Sequence, residues 1–100
     1  MPKTLGAFKE KTKTKVTEPK KYVVIMHNDD FTTMEFVVEI LITIFHKDPA
    51  EAERLMLLVH RTGSAAIGTY SYDIAASKVN AALARAKEAG YPFRVTMEEA

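Results

Sequence analysis

The change of character at positions 27–30 constrains this chain more than any other feature. Tyr22-Val23-Val24-Ile25-Met26 is a β-branched and aromatic run with the composition of a mostly buried strand. His27-Asn28-Asp29-Asp30 stops it with residues that favour turns. A helix signature follows at once. Thr32-Thr33-Met34-Glu35 fits a capping box, with Thr32 as N-cap and Glu35 at N3. The helix it opens is expected to run to about His46, with Met34, Val37, Val38, Leu41 and Phe45 along one side. Phe36, Ile40, Ile42 and Ile44 make it apolar elsewhere too, so it should be central and covered on most sides.

The rest of the chain is punctuated as clearly. Asp48-Pro49-Ala50-Glu51 starts a second helix with an acidic N-cap, proline at the first position and Glu at N3. It is expected to end near Thr62, with Gly63 taking the left-handed position beyond it. Ala65 to Tyr70 reads as a short strand weakened by Gly68. Ser71 caps a third helix, in which Ile74, Ala75, Val79, Ala82, Leu83 and Ala86 recur at helical spacing. Gly90 ends that helix, Pro92 prevents its resumption, and Phe93, Val95 and Met97 alternate with polar residues as a final strand. The predicted order is β-α-α-β-α-β: a small two-layer α/β fold in which a three-stranded sheet packs against three helices.

Residues 1–20 fit none of this. They repeat Lys, Thr and Glu without a period of 2 or 3.6, and cannot bury enough apolar surface to offset the entropy of ordering them. The expected organisation is a flexible basic arm over 1–20 and one folded domain over 21–100, with Pro19 near the boundary. Charge divides in the same place. Residues 1–21 hold seven lysines against Glu10 and Glu18, a balance of +5, while the remainder carries −4. The arm has no arginine, its only aromatic is Phe8, and an acidic body follows it, which argues against nucleic-acid binding. There is no cysteine, so thiolate chemistry and disulfides are excluded. No apolar run approaches the roughly 18 residues that span a bilayer, and the first ten residues lack a signal-peptide core. The expected setting is cytoplasmic.

Candidate chemistry gathers around one histidine and one turn. His46 and His27 are explained by a helix end and a strand end. His60 shares a helical face with Met56 and lies beside Val59. If the first two helices pack as a hairpin, His60 faces the Asn28-Asp29-Asp30 turn. An Asx-rich turn that bonds its own backbone needs only one such residue, and three are present. A metal site from Asp29, Asp30 and His60 is disfavoured, because adjacent aspartates rarely point at one ion and no second spaced histidine exists. Ser64, Ser71 and Ser77 lie in no nucleophile-elbow context, so hydrolysis is poorly supported. An amine site fits better. An ammonium has three donors and no acceptor, and carboxamide, carboxylate and neutral imidazole are suitable partners for it. Met34, Val37, Met56 and Val59 could floor an apolar pocket alongside, although periodicity alone assigns them to the core.

Asn28-Asp29-Asp30-Phe31-Thr32-Thr33-Met34-Glu35-Phe36-Val37 and Met56-Leu57-Leu58-Val59-His60 resemble the two signature segments of the ClpS family of protease adaptors. Gly68-Thr69-Tyr70 through Ala75-Ala76-Ser77-Lys78-Val79 is similar to a third, and the likeness spans about residues 20–98. The resemblance implies an α/β sandwich with an antiparallel three-stranded sheet. It implies a non-enzymatic N-end rule adaptor that binds Leu, Phe, Tyr or Trp at a protein's N-terminus. Delivery would be to a ClpA- or ClpC-type AAA+ unfoldase coupled to ClpP, by a monomer needing no cofactor or metal. By position, Asn28, Asp30 and His60 would hold the α-amino group, with Asp29 supporting the turn. Thr32, Met34, Val37, Met56, Val59 and Phe93 would line the side-chain pocket, with Met34 as its gate. Tyr72, Asp73 and Lys78 would face the unfoldase, which would also engage the N-terminal arm. Thr33, Ile67 and Phe93 replace residues common in the family, proline, cysteine and leucine respectively; the last substitution bears on pocket shape.

Overall fold

The computed structural model describes residues 19–100, so the flexible arm expected over 1–20 lies, as far as residue 18, outside the described residues. The elements are β1 (Lys21–His27), α1 (Met34–Thr43), α2 (Pro49–Thr62), β2 (Ser64–Ser71), α3 (Tyr72–Ala89) and β3 (Arg94–Glu99). Their order is the one the sequence predicts. The sheet is antiparallel with strand order β2-β1-β3, placing the most apolar strand in the middle. Among the described residues no helix is long and apolar enough to cross a membrane.

Alternation along β1 decides the layering. Val24 and Met26 are completely buried and point at the helices, whereas Val23, Ile25 and His27 are half-buried on the other face. Met26 lies opposite Ala65 on one side and Val95 on the other. The register shifts between Val24 and Ile25, so Ile67 is an extra residue on β2 and its side chain reaches the core. Gly68 beside this bulge has a packing reason: a Cβ there would lie 2.5 Å from the Tyr70 hydroxyl, whose ring occupies the space. One continuous core joins these strand residues to Phe36, Ile40 and Leu41 of α1, Leu55 and Val59 of α2, and Val79 and Ala82 of α3. Burying each large aliphatic side chain contributes about 1.5–3 kcal/mol.

Two helix boundaries differ from expectation, each for a local reason. The N-cap of α1 is Thr33, not Thr32, and its hydroxyl accepts the Phe36 N–H at 3.1 Å. Thr32 is unavailable because the Asp29 carboxylate takes both its N–H and its hydroxyl. The capping box with Glu35 therefore does not form, and the helix starts one residue later. α1 also stops at Thr43, short of His46. Phe45 N–H and Lys47 N–H donate to Ile40 and Leu41 carbonyls, and His46 adopts a left-handed φ of 57°. A histidine takes the position that glycine usually marks. The other signals behave as read. Asp48 caps α2 by accepting from Glu51 N–H at 2.8 Å, and Gly63 and Gly90 follow α2 and α3 with φ of 94° and 81°. Ser71 precedes α3 as its N-cap residue, but its side chain makes no capping bond.

Candidate functional site

The site is built where β1 ends, α1 begins and α2 ends. Gly63 can hold its left-handed conformation without strain, and its carbonyl accepts the Asn28 N–H at 2.9 Å. Its own N–H donates to Val59 O at 2.9 Å. One glycine thus ties the exit of the central strand to the last turn of α2. His60, three residues before that glycine, lines the same cavity as Asn28.

The turn between β1 and α1 is organised by Asp29. Its Oδ1 accepts from Phe31 N–H (2.8 Å) and Thr32 N–H (2.7 Å), and its Oδ2 accepts from the Thr32 hydroxyl (2.7 Å). Partial burial alone would raise its pKa. The Thr32 hydroxyl, the Thr32 N–H and the Phe31 N–H outweigh that and hold the carboxyl below the usual aspartate range. The group is charged and its bonds are spent within the turn, two on backbone N–H groups and one on the Thr32 hydroxyl. Asn28 and Asp30, on either side, are exposed and carry no such internal partners among the bonds described.

These residues surround a cavity of about 440 Å³. Asn28, Asp29, Asp30 and His60 line its polar side, and Thr32, Met34, Val37, Met56, Val59 and Phe93 line the rest. Every residue singled out from the sequence for the amine or side-chain position is therefore a wall of the same space. Val37, Met56, Val59 and Phe93 are also core residues, each under 10% exposed, so these four side chains pack in the core and line the cavity at once. Met34 differs, being 43% exposed at the first residue of α1. Of the lining residues, Asp29, Asp30 and Glu35 are acidic and none is lysine or arginine. An apolar hollow with a negative, acceptor-rich lip can take a cation attached to an apolar group.

Sequence reasoning missed four lining residues: His27, Phe31, Thr33 and Glu35. Phe31 was visible as an aromatic inside a polar turn and is 74% exposed. His27 places Nε2 2.8 Å from Thr96 Oγ1, and burial, then the Arg94 charge, push its imidazole below its ordinary range. No signal in the sequence pairs positions 27 and 96. Tyr72, Asp73 and Lys78 lie away from the cavity. Tyr72 is 56% exposed at the start of α3 and its ring meets Tyr22 edge-on at 5.2 Å. Asp73 is exposed in the first turn of α3. The Lys78 ammonium is turned into the fold, donating to Ile44 O at 2.7 Å beside the Phe45 and Tyr70 rings.

Comparison with known proteins places this architecture among a defined group. Residues 17–96 match the family model described as ATP-dependent Clp protease adaptor protein ClpS. The ATP-dependent Clp protease adapter protein ClpS of Clostridium acetobutylicum is 52% identical over 89 residues, covering 89% of this chain and 88% of the relative. The protein of the same name from Acetivibrio thermocellus is 51% identical over 90 residues, covering 90% and 91%. The solved structure of Agrobacterium tumefaciens ClpS2 bound to L-phenylalaninamide superposes with a TM-score of 0.80 at 38% identity. That match covers 83% of this chain and all of the other.

Proposed function

The chain belongs to the ClpS family of ATP-dependent Clp protease adaptor proteins, and from that premise we propose that it binds the N-terminal residue of other proteins through the cavity at the β1–α1–α2 junction. The convergence of His60 with Asn28 and Asp30 at the lip of an apolar hollow carries the reading. The α-ammonium donates to the Asn28 carboxamide oxygen, an Asp30 oxygen and a neutral His60 nitrogen. Asp29 holds the turn. The first side chain, Leu, Phe, Tyr or Trp, enters between Val37, Met56, Val59 and Phe93, with Thr32 and Met34 at the mouth. Phenylalaninamide, the ligand of the Agrobacterium relative, has this chemistry: a free amine, an aromatic side chain and a neutral amide in place of the next peptide bond.

Burying one such side chain contributes about 1.5–3 kcal/mol, and each charge-assisted hydrogen bond about 1.5–3. After the cost of association, the expected dissociation constant is on the order of micromolar. The adaptor hands its cargo to a ClpA- or ClpC-type AAA+ unfoldase for degradation by ClpP in the cytoplasm, as a monomer and without catalysis of its own. The basic segment 1–20 serves delivery, and the surface around Tyr72, Asp73 and the half-buried Lys78 marks the unfoldase face. Short peptides differing only in their first residue test the binding step. Leu-, Phe-, Tyr- or Trp-initiated peptides should bind, and their N-acetylated forms should not, since an amide lacks the charge and the donors. Equal affinity for free and acetylated peptides would end the proposal.

A further inference from the structure

The pocket wall formed by Phe93 belongs to a line of three aromatic rings. Phe93 meets Phe36 edge-on at 5.7 Å, and Phe36 meets Tyr91 edge-on at 4.9 Å. Phe36 and Phe93 are both buried, and Tyr91, which does not line the cavity, closes the outer end of the line half-exposed. Tyr91 is itself held at both ends. Its N–H donates to Ala86 O at 2.9 Å as part of the α3 C-cap, and it stands between Gly90, at φ 81°, and Pro92, whose ring fixes its own φ. Its hydroxyl lies 3.5 Å from Thr33 Oγ1, the N-cap of α1, one residue before Met34 at the cavity mouth. One side chain therefore backs the Phe93 wall through Phe36, while its hydroxyl only approaches the α1 N-cap.

We propose that Tyr91 is a positioning residue that sets the width of the side-chain pocket, and with it the choice between aliphatic and large bicyclic N-terminal residues. The proposal rests on the N-terminal-residue reading above. Edge-to-face rings in a close-packed setting have discrete arrangements, so the Phe93 wall is fixed while Tyr91 backs Phe36. With that backing gone, Phe36 can relax outward and Phe93 can follow it. The pocket widens without any change in the groups that hold the amine. A Leu-initiated ligand then loses wall contact, and a Trp-initiated ligand gains room.

The test compares Leu- and Trp-initiated peptides, identical after the first residue, by fluorescence anisotropy against the full chain and its variants. Tyr91→Leu should shift the ratio of the two dissociation constants towards Trp by about threefold to tenfold, the size an aromatic pair carries. Tyr91→Phe keeps the ring and should leave the ratio within about twofold of the parent. Circular dichroism establishes folding. If Tyr91→Leu is unfolded, Tyr91→His, with a smaller ring, carries the same ratio test. A folded Leu or His variant that weakens both peptides equally, or changes neither, overturns the proposal, because bracing the fold alone would not move the ratio. Failure of the parent protein to bind any peptide with a free N-terminus would instead refute the reading beneath it.

Discussion

Replacing Asp29 by alanine tests whether the turn is the part that pre-shapes the site. The substitution removes an acceptor set of three bonds at 2.7–2.8 Å, two to backbone N–H groups and one to the Thr32 hydroxyl. Hydrogen bonds to charged groups contribute about 1.5–3 kcal/mol each when dry. Solvent reaches this turn, so the freed donors can bond water and only a fraction of that is lost. A total of about 1–2 kcal/mol follows. For a domain of this size, with a urea slope of about 1–1.5 kcal/mol/M, the unfolding midpoint should fall by about 1 M. The slope should not change.

Affinity should fall further than stability alone accounts for. Asn28 and Asp30 flank Asp29, and a loosened turn must be reordered each time a ligand binds. A tenfold or greater loss for a Leu-initiated peptide is expected, about 1.4 kcal/mol. Asp29→Asn keeps one acceptor oxygen and should cost about half as much in both measurements. The same pair carries a pH signature. The folded pKa is below the ordinary one, so the charge stabilises the fold fully above the ordinary carboxylate range, and that contribution is lost as pH falls towards the depressed folded value. The stability gap between parent and Asp29→Asn should therefore narrow below about pH 4. Unchanged midpoint and affinity in Asp29→Ala, or a gap that widens in acid, would refute the reasoning.

Other perturbations separate the remaining parts of the site. His60→Ala should abolish amine binding while leaving unfolding nearly unchanged, and a variant that binds Leu-initiated peptides as the parent does would remove His60 from the amine set. Gly63→Ala should cost about 1–2 kcal/mol by urea titration, since φ is 94° and no neighbour obstructs a Cβ, and Gly63→Asn should recover part of it; an equal loss in both would show that strain is not the cause. Lys78→Met should destabilise by about 1 kcal/mol through the freed Ile44 carbonyl, measured the same way, and a variant as stable as the parent would contradict that contact. His27 is held neutral by burial and Arg94, so stability rises with pH from below its folded value up to the ordinary histidine range; His27→Gln should flatten that segment of a pH–stability curve.

Much of this arrangement was legible because short-range chemistry wrote it. Asp48, Pro49 and Glu51 mark a helix start by their own bonds, and Gly63 and Gly90 sit where only a left-handed residue serves. The turn at 28–30 also followed from local signals, and a helical hairpin was enough to place His60 on the same cavity. The failures have a common origin. Thr32 and Thr33 are equivalent as caps by sequence, and the choice between them depends on which one Asp29 has already engaged. The end of α1 at Thr43 depends on carbonyls accepting from Phe45 and Lys47, with a left-handed histidine that no propensity marks. The Thr96 partner of His27 and the Tyr91 end of the aromatic line are set by register and by packing of residues 55 or more positions apart. Local pattern cannot carry information about such pairs.

The same separation explains why the site can be specific without a dedicated scaffold. Its apolar floor, Val37, Met56, Val59 and Phe93, also belongs to the core, so the fold supplies it at no extra cost in order. Its polar lip consists of groups the backbone leaves over after Asp29 and Gly63 have satisfied the turn and the helix end. Asn28 is joined to Gly63 through its N–H, so its carboxamide remains unspent; Asp30 follows a residue that has already closed the turn. A ligand that brings three donors and one apolar group completes both halves together. A neutral ligand with the same side chain would desolvate Asp30 and His60 without repaying them. On the proposed function, selection for the charged chain end would follow from which polar atoms the fold has already used.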